Sequence, residues 1–216
     1  MSAAGRAPIP VHAEAVPGRP ERVRWVVPAR LLAFVGEPVA VPSALAGLVD
    51  DGVVARIEVA PAAVLIDLAA ERTWAEGADR VRAALQQGLA APGEWHPPLE
   101  QAEPAAAARA HLGAAARAVV AGEVGDYARS HGGSLEVVAV HDGVVDVALH
   151  GTCDGCPAAG RTLEERVLVG VRALDPSVRE VRSVREGGQA SSTTALDAGP
   201  AGAGGRRLLP MLFGRR

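Results

Sequence analysis

The sequence predicts an α+β protein, two small two-layer α/β domains in tandem. Three observations carry this. Apolar residues pass twice along the chain from the alternating period of strands to the three-to-four spacing of helices. A proline-dense stretch, with Pro92-Gly93, His96-Pro97-Pro98 and Pro104, separates the two patterned regions. The length of 216 residues suits two domains of about 100 residues each. The predicted bounds are 9–95 and 105–186, joined by a stiff proline spacer. From 187 to 216 the chain turns to Gly, Ala, Ser and Thr and reads as a disordered tail.

In the first region Val11, Ala13 and Ala15 alternate, a Pro17-Gly18-Arg19-Pro20 turn follows, and Val23, Trp25 and Val27 alternate again, giving a hairpin. Pro28 to Val41 reads as loop, and Ser43 is placed to cap a short helix over Ala44 to Val49, ended by Asp51-Gly52. Strands follow at Val53–Val59 and Ala63–Leu68. A helix runs from Thr73 to Leu89, with Trp74, Ala78, Val81, Leu85 and Leu89 on one stripe. Thr73 and Glu76 are spaced as a capping box.

The second region is predicted as α-β-β-α-β. One Ala-rich helix covers 105–129, with Leu112, Ala116, Val119, Val120, Val124 and Tyr127 on its apolar face, and His131-Gly132-Gly133 stops it. Leu135, Val137 and Ala139, then His141-Asp142-Gly143, then Val145, Val147 and Leu149 form a hairpin pattern around an Asp-Gly turn. A last helix carries Leu163, Val167, Val171 and Leu174 inward, Asp175-Pro176 ends it, and Val178 to Val184 is a final strand.

Between that hairpin and that helix lies His150-Gly151-Thr152-Cys153-Asp154-Gly155-Cys156-Pro157, which holds both cysteines of the chain. Pro157 suits a first helical position, where a missing N–H costs nothing. The thiols thus sit on a strand-to-helix loop, where the helix dipole and unpaired N–H groups favour thiolate. Three chemistries use such a pair. A structural zinc site needs four ligands, and no histidine pair is spaced to complete the set. A dithiol oxidoreductase would place the motif near a first β-α junction, whereas here only one helix and one strand follow it. An iron–sulfur cluster needs about four thiolates, so two chains would have to share one.

Composition narrows the class further. The formal charge of -3 argues against a nucleic-acid partner, and all 22 basic residues are arginine. Hydrophobic residues make up 49% but aromatics only 3%, so small aliphatics must build the cores. No apolar run approaches the roughly 18 residues a membrane span needs, and Met1 to Pro10 lacks the order of a signal peptide. A cytoplasmic protein is expected, and in a reducing compartment the cysteine pair points to metal or redox chemistry rather than a structural disulfide.

Residues Val119 to Val184 resemble the C-terminal domain of the NifU-like (Nfu) iron–sulfur scaffold and carrier family. The resemblance lies in His131-Gly132-Gly133-Ser134, where the family usually has Asp-Gly-Gly-Asp, in the Asp142-Gly143 hairpin, in Gly151-Thr152-Cys153-Asp154-Gly155-Cys156-Pro157, and in Thr162-Leu163. Residues 9–95 resemble the family's N-terminal Nfu domain through the Pro-Gly hairpin, the Ser43–Leu48 helix, Asp51-Gly52-Val53 and Trp74. The resemblance implies a carrier, not an enzyme. Cys153 and Cys156 would ligate a labile [4Fe-4S] or, second choice, [2Fe-2S] cluster across a homodimer. Its partners would be upstream cluster or sulfur donors and client apo iron–sulfur proteins. The N-terminal domain, which has no cysteine, would choose or present clients. A thiol–disulfide oxidoreductase using the same pair is the alternative, and a plain interaction protein the third.

The neighbouring residues read more plainly. His150 ends a strand, His131 meets a helix C-terminus, Asp154 shapes the loop, and Gly151 and Gly155 admit tight backbone. Ser134 and His131 in place of acidic residues, and Ala158-Ala159 where hydroxyl residues are common, depart from the family pattern. Trp25, Trp74 and Trp95 read as packing. The Arg206 to Arg216 terminus reads as a solvated tail, with docking to a partner as its second reading.

Overall fold

The computed structural model describes residues 9–152 and 157–184, and these form two sheets, each with its own hydrophobic core. The fold is α+β, as predicted.

In the first unit β1 (His12–Val16) and β2 (Arg19–Val26) form the hairpin, with Gly18 at φ +74° in its turn. Next come α1 (Ser43–Asp50), β3 (Val54–Ala60), β4 (Ala63–Leu68) and α2 (Trp74–Leu89). The sheet order is β1-β2-β4-β3, every pair antiparallel. Leu45 and Leu48 of α1 and Val81, Leu85 and Leu89 of α2 cover it, with Trp25 and Trp95 buried and Trp74 packed at the edge. Asp67 is tolerated inside β4 because Arg22 of the next strand grips it with two bonds, 2.6 and 2.8 Å. That grip holds the Asp67 carboxyl below its usual range.

Two helix starts differ from expectation. Pro42, not Ser43, occupies the cap position of α1. At α2 the Thr73 hydroxyl donates to the Glu76 carboxylate, 3.0 Å, instead of accepting from a backbone N–H.

The proline-dense stretch lies on the first unit rather than spanning a gap. The Val39 N–H donates to the His96 carbonyl and the His96 N–H to Ala40, at 2.9 and 3.0 Å. Gln101 accepts from the Val35 N–H and donates to the Val35 carbonyl. Trp95 donates its indole N–H to Gly88. Proline explains the stiffness, and these bonds decide where the stiff segment rests.

The second unit runs α3 (Pro104–Ala121), α4 (Glu123–Ser130), β5 (Gly133–His141), β6 (Val144–Gly151), α5 (Pro157–Leu174) and β7 (Glu180–Val184). The single helix expected over 105–129 is broken at Gly122, whose ψ of -145° is not helical. The chain then folds back so closely that a Cβ on Gly125 would lie 1.9 Å from the Val120 carbonyl oxygen. Asp142 and Gly143, at φ +46° and +76°, close the hairpin as a primed turn requires. A bulge after Val137 shifts the register, so Val140 and not Ala139 pairs with Val145. Strand β6 is central, antiparallel to β5 and parallel to β7.

Helix α5 buries Leu163, Val167 and Val171, the stripe its spacing predicts, in one core with Leu112, Ala115 and Ala116 of α3. Helix α3 reaches both cores, since its Ala107 packs into the first. Just past α5, Asp175 is fully buried and joins the units. Its carboxylate accepts from Arg30 of the first unit at 2.9 Å, from Ser177, and lies 2.8 Å from His111 Nδ1. Burial pushes this carboxyl up, but the hydrogen bonds from Ser177, Arg30 and His111 outweigh it and set it at about 2. Among the described residues no helix is long and apolar enough to cross a membrane.

Candidate metal centre

Cys153 and Cys156, with Asp154 and Gly155 between them, lie outside the described residues. The structure gives the frame around them. One end of that frame is the last residue of β6, the other the first residue of α5.

Strand β6 ends where it does because Gly151 takes φ +67°, a left-handed conformation that side chains disfavour. A Cβ there would also lie 2.4 Å from the Gly132 carbonyl oxygen. Gly132 has φ +76°, and Gly133 pairs with Gly151 across the sheet. The strand end therefore presses backbone to backbone on the turn that follows α4. Thr152 fixes the next step. Its N–H donates to the Gly132 carbonyl at 3.4 Å and its hydroxyl donates to the His131 carbonyl.

Pro157 opens α5, as its sequence position predicts. A helix start leaves its first N–H groups unpaired, an environment that in general favours anionic ligands. The described residues on either side of the cysteine pair are therefore a pinned strand end and a helix N-terminus.

Neighbouring aromatic and charged groups complete the frame. The Tyr127 ring meets the His131 ring edge-on at 4.7 Å. The Arg166 guanidinium of α5 lies 4.3 Å over the Tyr127 ring. His131 is the residue that ends α4, as expected. His150 sits within β6 opposite Ser134, its Nε2 3.6 Å from Glu136. Among the described residues no group of three His, Cys, Asp or Glu side chains converges to hold a metal ion. The parts that sequence reading missed are Thr152 as an anchor and the Tyr127–Arg166 contact. Tyr127 and His131 stand four apart near a helix end, a visible signal. Arg166 lies on a different helix, and nothing local points to it.

A hairpin whose second strand is followed in sequence by the cysteine pair and then by a helix, backed by two further helices, defines an α+β domain. Residues 117–182, from the last turn of α3 into β7, match the model of the NifU-like domain. The family is one of iron–sulfur cluster scaffolds, which associates this domain with iron–sulfur cluster assembly. No curated protein matches the chain.

Proposed function

We propose that this protein carries a labile iron–sulfur cluster on Cys153 and Cys156, shared with the same pair in a second copy, and hands it to apoproteins. One observation carries the reading. The NifU-like match spans the frame that brackets the cysteine pair between Thr152 and Pro157.

The donor chemistry fits. Thiolates are the ligands iron–sulfur clusters take, about four per cluster, and the chain has two cysteines. Two copies make one complete set. A [4Fe-4S] cluster is the favoured cargo and [2Fe-2S] the second. The chain's own work is to hold two sulfurs ionised at the start of α5 and to fix the loop's origin through Gly151 and Thr152. A site split between two copies releases its cargo when the copies part, which suits a carrier better than a resident redox centre. Binding and release, without turnover, is the activity. The first unit, whose sequence resembles the family's N-terminal domain, chooses or presents client apo iron–sulfur proteins in the cytoplasm, downstream of a cluster or sulfur donor.

Anaerobic reconstitution with iron and sulfide tests this. The expected result is iron and sulfide bound per dimer, visible charge-transfer absorption, and dimerisation lost in Cys153→Ser and Cys156→Ser. A colourless monomer that reduces disulfides catalytically would overturn the proposal in favour of a thiol–disulfide oxidoreductase.

A further inference from the structure

We propose that the first unit docks partner proteins on the surface of its proline-rich stretch, around Val39 and Leu99. The occupant is a short segment of a client protein that sets an apolar side chain beside arginine or lysine. That the partner is a client rests on the carrier reading above; the surface itself rests on exposure, rigidity and charge.

Val39, Val49 and Leu99 are the large apolar side chains that the first unit leaves exposed, and Leu99 at 81% and Val39 at 62% are the extremes. Single exposed apolar residues are ordinary, but these two stand on segments that are tied side by side. Val39 and Ala40 bond the backbone of His96, and Val35 bonds the Gln101 side chain twice. Pro98 is buried between those ties, and a Cβ on Gly36 would lie 3.5 Å from its ring. Leu99 follows at once and opens the turn Leu99–Gln101. The same bonds that seat Pro98 and Gln101 therefore hold Leu99 outward. A side chain presented by a stiff backbone loses little freedom when a partner covers it.

Charge selects the partner. From 31 to 55 and from 83 to 108 the sequence holds no arginine, against Glu37, Asp50, Asp51, Glu94, Glu100 and Glu103. Arg56 pairs with Glu37 and Arg80 with Asp51. Glu103 precedes α3, where a helix start favours a carboxylate. Glu94 and Glu100 have neither explanation, and among the described residues no cation pairs with them. They flank Leu99 and His96 in sequence, one on each side. Carboxylates beside an exposed apolar side chain favour a cationic occupant and turn away an acidic one.

The probe is a labelled peptide, Arg-Arg-Ala-Leu-Leu-Ala-Arg-Arg, titrated into the full chain without cluster and followed by anisotropy. Saturable binding that weakens with salt is expected, and the same peptide with Glu in place of Arg should not bind. Leu99→Ser should weaken binding about tenfold, the worth of covering much of one leucine. Glu94→Gln together with Glu100→Gln should weaken it about two- to fivefold and flatten the salt dependence. Val169→Ser, at a comparably exposed position on α5, should bind as wild type does. All these side chains are exposed, so melting curves should not move. Equal binding of both peptides, or wild-type affinity in Leu99→Ser, would overturn the surface. Binding seen only after Arg206, Arg207, Arg215 and Arg216 are replaced by Glu would assign the surface to the chain's own terminus. Self-association abolished by Leu99→Ser would assign it to a second copy, and either result overturns a client as occupant. With cluster loaded, Leu99→Ser should slow transfer to a client while leaving uptake unchanged; wild-type transfer would overturn the client role. A wild-type chain that takes up no cluster would overturn the carrier reading instead, and the peptide titration would still decide the surface.

Discussion

Gly151→Ala should destabilise the second unit by about 2–5 kcal/mol, whereas Gly132→Ala, across the same contact, should cost about 1–2 kcal/mol. Both glycines have positive φ, +67° and +76°, and a side chain in that conformation costs about 1–2 kcal/mol. Their surroundings differ. A Cβ on Gly132 meets only the Thr152 side chain at 3.5 Å, an ordinary contact. A Cβ on Gly151 lies 2.4 Å from the Gly132 carbonyl oxygen, which is backbone and cannot rotate away. Relief requires the end of β6 to retreat by about 1 Å. That lengthens the Thr152 N–H bond to Gly132, already 3.4 Å, and draws the Thr152 hydroxyl off His131. Two bonds at about 0.5–1.5 kcal/mol each supply the excess. Urea unfolding can separate the units, because Trp25, Trp74 and Trp95 all lie in or against the first core. Far-UV circular dichroism follows both units and tryptophan fluorescence the first. The loss should move the second unit's midpoint down by roughly 1–3 M urea, with much less change in fluorescence. Equal costs for the two substitutions would refute the tight approach of β6 to this turn.

Three further outcomes follow from buried charge and close backbone. The Asp175 carboxyl titrates at about 2 when folded against an ordinary 3.8, so its contribution of roughly 2 kcal/mol is present above about pH 4 and is lost as pH falls through 2. Asp175→Asn should flatten that part of an acid-unfolding curve. Arg30→Gln removes the cation facing this buried carboxylate and should cost about 1–3 kcal/mol. It should also separate the fluorescence and dichroism transitions, and coincident transitions at wild-type midpoints would count against a joint between the units. Gly125→Ala places a Cβ 1.9 Å from the Val120 carbonyl oxygen and should cost more than 2 kcal/mol; a wild-type melting curve would show that α4 does not fold back on α3.

Much of this architecture was legible because local chemistry demanded it. Asp142-Gly143 announces a turn with two positive φ values, and both residues adopt them. The Leu163, Val167 and Val171 spacing marks the buried face of α5. The misses are places where sequence carries no contrast. Apolar periodicity runs through Gly122 unbroken, and only the packing of Gly125 on Val120 shows why the helix must stop there. Val137-Val138-Ala139-Val140 has no polar residue to mark the outer face, so alternation cannot locate the bulge. The prolines announce stiffness, but the bonds between Gln101 and Val35 that seat the stretch join residues 66 apart. At the candidate site the cysteine spacing, Gly151 and Pro157 were all readable. The anchors were not, since Thr152 acts through a carbonyl 21 residues away and Arg166 through a ring on another helix.

Helix α5 ties these observations into one mechanical arrangement. Its 18 residues span about 27 Å. Its N-terminal end follows the cysteine pair in sequence, Gly170 near its C-terminal end packs against Val119 of α3, and its far end leads into Asp175, where Arg30 of the first unit is bonded. The first unit thus grips the second at the end of α5 remote from Pro157. A cluster held between two copies requires the loop end to stay open to a second chain, and a joint at the opposite end satisfies that requirement. Under the proposed carrier function, the same joint would let the first unit orient the end of the second that carries the cysteine pair. If Arg30→Gln left cluster uptake intact but slowed transfer to clients, the two tasks would be shown to part along this helix; equal rates of transfer would mean that the joint serves stability alone.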